Sequence, residues 1–167
     1  MGGVAEYDQF VVAASPRLLR SAYLLTHDWA AAEDLLQTAL AKTWFGWDRV
    51  SGNPEPYVRK IIYHTYVSWW RRRSFGEHPT ADPPDVARPD DAQAAVDERD
   101  EVWRALGRLP RRQRAVLVLR FFEDLSEAET AQILDITVGT VKSQAAKGLA
   151  RLRQDESLFA IETGLLR

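Results

Sequence analysis

The chain has 167 residues, 46 % hydrophobic and 28 % charged, enough apolar content for a packed core, with no apolar run near the ~18 residues that cross a membrane. Cysteine is absent, and His27, His64 and His78 lack ligand spacing; disulfides, thiolate metal sites and a metal cofactor are therefore not expected, and the composition fits a reducing cytoplasm. A formal net charge of −2 argues against a simple nucleic-acid binder, yet nine acids between Glu77 and Glu101 face only Arg88 and Arg99, so the rest of the chain is net positive.

In chain order, the opening "MGGVAEYDQF" has no basic stretch followed by an apolar one, so no signal peptide is expected. Ser15-Pro16 reads as a helix start, with Ser as cap and Pro at the first helical position. Asp28 is a candidate cap for the next helix, where Ala32, Leu35, Leu36, Ala39, Leu40 and Trp47 recur at core-facing spacing. "SGNPEP", 51–56, breaks the chain. The segment that follows, "YVRKIIYHTYVSWWRRRS", holds no Asp or Glu and sets aromatic rings among Arg and Lys. Its Val58, Ile61, Ile62, Thr65 and Trp69 form one helical stripe; Lys60, Tyr63, His64, Val67 and Arg71 form another.

Gly76 to Ala95 is rich in Pro, Asp and Ala and reads as a flexible acidic linker. Beyond it a helix is expected near Val96 to Leu109, with Pro110 ending it or starting its successor, an apolar helix with Arg at its entry in "RRQRAVLVLRFFED". Ser126 and Glu129 fit a capping box. "DIT" makes a short turn, and Thr137 caps a last helix, Val138 to Arg153, with Ile136 and Val141 placed as a staple. That helix carries Lys142, Lys147, Arg151 and Arg153 and no acid.

Periodicity thus predicts an all-α chain of two small helical domains, 1–75 and 96–167, joined by the linker 76–95. Two short helices around a tight turn, with Ala131, Leu134, Val138 and Val141 inward, make a helix-turn-helix whose second helix suits the major groove. Thr140, Lys142, Ser143, Gln144 and Lys147 are its base- and phosphate-reaching candidates: Gln pairs bidentately with adenine, and Lys reaches guanine or phosphate. The alternative is a plain hairpin with a solvated basic face. The aromatic helix offers the rings of Tyr63, His64, Tyr66, Trp69 and Trp70 and the charges of Lys60 and Arg71 to Arg73. Duplex DNA hides its base faces, so such a surface suits opened strands. Tyr66 and Trp69 are expected in the core, since large rings at helical spacing usually pack.

These residues resemble a family. "AAEDLLQTALAKTWFGWD" and "PYVRKIIYHTYVSWWRRR" look like region two of bacterial RNA polymerase sigma factors, and "GTVKSQAAKGLARLR" is similar to the last helix of their region four. The two-domain layout matches the extracytoplasmic-function group, and the spelling of the last helix looks actinobacterial. The resemblance implies a protein without enzymatic activity. Its partners would be the RNA polymerase core, through the clamp helices of the largest subunit and the flap of the second-largest, and the −10 and −35 elements of promoter DNA. It also admits an anti-sigma factor as a regulator. By similarity Asp34, Gln37 and Trp44 would dock on the clamp. Val50 and Ser51, with Lys60, His64, Ser68 and Arg71, would meet the non-template strand at the upstream edge of the bubble. Thr140, Lys142, Ser143, Gln144 and Lys147 would read the distal element. Position 64 is His where many relatives have Asn, and Gln144 and Ala146 replace larger or basic residues. The tail "SLFAIETGLLR" is expected to pack on its own domain.

Two rival readings stand beside this one. A dimeric helix-turn-helix regulator would bind duplex half-sites alone but leaves the aromatic helix without a role. A nucleic-acid enzyme would need clustered carboxylates for metal, and the acids here crowd into the linker.

Overall fold

The computed structural model describes residues 3–76 and 98–155, with side chains described for 3–72 and 101–155. Most of the acidic linker (77–95) and the tail beyond 155 lie outside the described residues. The chain divides into two compact units, Met1–Pro84 and Asp85–Arg167. The elements run α1 (Val4–Thr26), α2 (Trp29–Gly46), a 3-10 turn (Trp47–Arg49), α3 (Glu55–Gly76), α4 (Glu98–Gly107), α5 (Arg111–Leu117), a π turn (Val118–Phe122), α6 (Glu127–Leu134) and α7 (Val138–Arg153). Among the described residues there is no strand.

In the first unit α1 packs on both α2 and α3, and α2 packs on α3. The α1 helix does not begin at Ser15-Pro16 as the sequence suggested but runs unbroken through Pro16. Proline removes one backbone donor, and the carbonyl it orphans belongs to Val12. Val12 and Pro16 are both exposed, so the gap faces solvent rather than core. Ser15 turns its hydroxyl back to donate to the Val11 carbonyl instead of capping. The opposite side of the helix buries Ala14, Leu18, Ala22 and Leu25, and that burial holds the helix continuous. It ends at His27, which takes a left-handed conformation (φ 55°).

The Asp28 carboxylate caps α2, accepting from the Ala31 N–H at 3.1 Å. The expected stripe Ala32, Leu35, Leu36, Ala39, Leu40 and Trp47 is buried in full. The Asn53 side chain accepts from the Glu55 N–H at 3.1 Å and starts α3. Glu55 then pairs with Arg17 of α1 and with Arg59, each at 2.9 Å. Contact with two helices widens the buried arc of α3 beyond one stripe. Val58, Ile62, Tyr63, Thr65, Tyr66 and Val67 are all buried. Tyr63 and Val67, assigned by spacing to the second stripe, are therefore core residues, whereas Ile61 and Trp69, expected in the core, are half-buried.

In the second unit α5 and α6 both pack on α7. Leu106, Leu117, Leu119, Val116 and Val118 form its centre. Arg114 is buried with them and donates to the Gly107 carbonyl at 3.3 Å. The capping box at α6 is present in both directions: Ser126 Oγ accepts from the Glu129 N–H at 3.0 Å, and Glu129 Oε2 accepts from the Ser126 N–H at 2.9 Å. Asp135 reverses the chain in the left-handed region (φ 53°), and Thr137 caps α7 by accepting from the Thr140 N–H at 3.1 Å. Ala131, Leu134 and Val141 turn inward as expected. Val138 does not; as the first residue of α7 it precedes the buried arc and is 40 % exposed.

Candidate polymerase and nucleic-acid interfaces

Three exposed surfaces emerge from this packing. The first lies on α2, opposite its buried stripe. Asp34, Gln37 and Trp44 are all exposed there. Trp44 is only partly free, because its ring meets Tyr7 edge-on at 5.0 Å, and the Tyr7 hydroxyl donates to the Leu40 carbonyl at 2.7 Å. Phe45, three turns from Asp34 on the same face, is 87 % exposed. A large ring held in water on a rigid helix marks a contact surface more strongly than scattered apolar residues do.

The second surface is the outer face of α3 with the loop before it. Lys60, His64 and Arg71 are exposed and Ser68 half-buried, at spacings that keep all four on one side of the helix. Ser51 is exposed and Val50 half-buried in the adjoining loop. Tyr57 heads the same face and is 42 % exposed. A Cβ added to Gly46 would stand 2.9 Å from the Tyr57 hydroxyl oxygen, so the absence of a side chain at 46 gives Tyr57 its seat beside the end of α2. With Tyr63 and Tyr66 in the core and Trp69 and Trp70 half-buried, the rings presented on this face among the described residues are Tyr57 and His64. The face is cationic, as a phosphate-tracking groove requires.

The third surface belongs to α7. Lys142, Ser143 and Lys147 are exposed, and Gln144 and Thr140 are half-buried. The Thr140 hydroxyl lies 2.8 Å from that of Thr137, within the cap, which draws it away from a base edge. Gly139, Ser143, Ala146 and Ala150 occupy the middle of the exposed face, with Lys142 and Arg153 on one flank and Lys147 and Arg151 on the other. Small residues between two basic margins suit a helix lying in the major groove against two phosphate backbones. Phe121 and Phe122, in the π turn, are 56 % and 44 % exposed. Among the described residues, no group of three or more His, Asp or Glu is placed to hold a metal ion, and no helix is long and apolar enough to cross a membrane.

Residues 10–75 match the family model for sigma-70 region 2, and residues 99–152 match that for sigma-70 region 4. The chain belongs to the extracytoplasmic-function sigma factors. It is 40 % identical to the RNA polymerase sigma-E factor of Streptomyces coelicolor, over 93 % of this chain and 88 % of that one. It is 34 % identical to the extracytoplasmic-function sigma factor SigM of Mycobacterium tuberculosis, over 87 % and 74 %. Among solved structures it is similar to the sigma factor RpoE of Bartonella quintana, crystallised with the anti-sigma factor NepR. That match has a TM-score of 0.62 and 25 % identity, and covers 90 % of this chain and 96 % of that one.

Within this sigma factor, the region 2 match spans most of α1 with α2 and α3, and the region 4 match spans α4 to α7. On these surfaces sequence reasoning missed three exposed aromatic features: Phe45, Tyr57 and the Phe121-Phe122 pair. Tyr57 carried a signal, since it precedes Lys60 by three residues and His64 by seven. Phe45 and the pair carried none, because exposure depends on which side the neighbouring helices take.

Proposed function

We propose that the chain binds the RNA polymerase core, recognises the −10 and −35 promoter elements and directs transcription initiation in the cytoplasm. The α2 face, with Asp34, Gln37, Trp44 and Phe45, docks on the clamp helices of the largest subunit. The exposed Phe121-Phe122 pair meets the flap of the second-largest. The outer face of α3, with the Val50-Ser51 loop, holds the non-template strand of the bubble, and α7 enters the major groove at the distal element. The protein contributes surfaces rather than a chemical step.

The observation that carries this reading is the coexistence, on one chain, of a cationic face presenting free rings and a capped helix-turn-helix. The first suits open strands and the second suits duplex. A dimeric regulator of duplex DNA would need only the second. An anti-sigma factor, as in the Bartonella complex, would act by covering one of these surfaces. Pull-down of the full chain with core polymerase, followed by run-off transcription, tests the reading. Association with core and core-dependent, promoter-specific transcripts are expected; duplex binding without core association would overturn it.

A further inference from the structure

On α6, at the edge facing α7, the Glu127 carboxylate lies 3.7 Å from the Lys142 ammonium. Lys142 keeps 66 % of its side-chain surface and Glu127 36 %, so the pair stands in the open where DNA would approach. The start of the first helix in such a motif crosses the phosphate backbone. Helix N-termini are also favourable places for phosphate. Here the first turn of α6 carries two carboxylates, Glu127 and Glu129, and Glu129 is occupied with the Ser126 cap. Glu127 is therefore an acid placed where a duplex-binding surface ordinarily profits from positive charge.

We infer that Glu127 is a positioning residue for Lys142, setting how far the distal-element helix discriminates its sequence from random duplex. A lysine is a flexible point charge that takes any phosphate within reach. Beside Glu127 the charge of Lys142 is already matched, and the carboxylate repels any phosphate that the ammonium would take, whereas a neutral base acceptor is not repelled. The ammonium has three donors, so it can keep Glu127 and still donate to a base acceptor such as guanine O6 or N7 when α7 is seated in the groove. Glu127 thereby turns a non-selective cation into a base-directed donor. This inference rests on the proposed groove-binding role of α7.

The test uses holoenzyme assembled from core polymerase and the full chain. One duplex is recovered by wild-type holoenzyme from a randomised library; the other differs from it only by a scrambled distal element. Glu127→Gln keeps the side chain's size and leaves the Ser126-Glu129 capping box untouched. It is expected to tighten binding to the scrambled duplex roughly fivefold, reduce discrimination by a similar factor and steepen the logarithmic salt slope there by about 1. In a Lys142→Ala background the same change should have a much smaller effect, leaving only the carboxylate's own repulsion of phosphate. Unaltered scrambled-duplex affinity and slope in folded Glu127→Gln would overturn the inference, as would an effect that persists undiminished without Lys142. Lys147→Ala distinguishes the two levels: if it too leaves both duplexes unaffected, the assignment of α7 to DNA fails, and the role of Glu127 with it.

Discussion

The Leu117 side chain occupies the space that any side chain on Gly148 would need: a Cβ there would stand 2.9 Å from Leu117 Cδ1 and 3.2 Å from Cγ. Leu117 is 1 % exposed, so it has no free direction in which to turn. Gly148→Ala gains about 1 kcal/mol of helix propensity, but overpacking a filled core costs about 1–3 kcal/mol. A net loss of about 1 kcal/mol is expected, read as a lower melting temperature for region 4. Pairing it with Leu117→Val, which withdraws the clashing methyl, should recover part of the loss. A melting temperature that rises in Gly148→Ala would show that α5 and α7 have slack between them.

Phe45 and Trp44 separate contact from packing on the α2 face. Phe45 touches little of its own domain, so Phe45→Ala should change stability by less than about 0.5 kcal/mol. Its affinity for core polymerase should fall by about 2 kcal/mol, as for an aromatic anchor. Trp44→Ala should weaken core binding too, and also destabilise region 2 by about 0.5–1.5 kcal/mol through the lost Tyr7 contact. Titration of core with labelled variants, beside thermal unfolding, reads both quantities. Wild-type affinity in Phe45→Ala would move the docking surface elsewhere.

Glu55 makes the α1–α3 junction sensitive to acid. Hydrogen bonding from Arg17, above all, with help from Arg59 and against the opposing effect of burial, lowers its carboxyl from 4.5 to about 2. A depressed folded value means that this contribution is fully present above the unfolded value and is lost as pH falls through the folded one. Region 2 should thus lose stability between about pH 4.5 and pH 2, and Glu55→Gln should flatten that part of the profile. Unfolding midpoints across this range, with the variant as reference, check it. Equal slopes for the two proteins would remove Glu55 from the acid response. Because the pair lies near the surface, added salt should shrink the difference.

What the sequence disclosed follows from how local each signal is. Asp28, Ser126 with Glu129, and Thr137 announce their helices because a cap is satisfied within three residues of itself. The α2 stripe was legible because that helix buries a single arc. The α3 helix was misread at Tyr63 and Val67 because α1 and α2 cover it from two directions, which no single stripe encodes. Pro16 gave a false start because the carbonyl it orphans is open to water and the burial of Ala14, Leu18, Ala22 and Leu25 outweighs the cost of the proline. The π turn at Val118–Phe122 and its exposed phenylalanines have no local spelling, since the register there is fixed by the loop that follows. In that loop Leu125 N–H donates to the Leu119 carbonyl at 3.0 Å, and Arg120 donates to the Leu125 carbonyl. The proposed docking and DNA residues were legible largely through family resemblance, and their exposure in the fold ranks them.

That ranking sharpens the expectation for strand opening. Among the described residues His64 and Tyr57 are the exposed rings on the α3 face, and Lys60 and Arg71 stand beside them as cations. Unstacking a base step costs a few kcal/mol, and contacts available only to the open strand shift the duplex toward the bubble. His64→Ala and Tyr57→Phe should both retain core binding. The first should reduce open complex on duplex promoters. The second keeps the ring and loses only the hydroxyl beside Gly46, so it should open DNA nearly as well as wild type. Tyr57→Ala should then fall between wild type and a His64→Ala, Tyr57→Ala pair, because stacking is worth about 1–3 kcal/mol per base. On a pre-melted promoter the cost of opening disappears, and only the part of each defect that comes from touching a base should remain. Permanganate reactivity of bubble thymines, read beside core affinity, measures this directly. If His64→Ala and a Lys60→Ala, Arg71→Ala pair open duplex promoters as wild type does, the basic face of α3 is only a solvated helix surface.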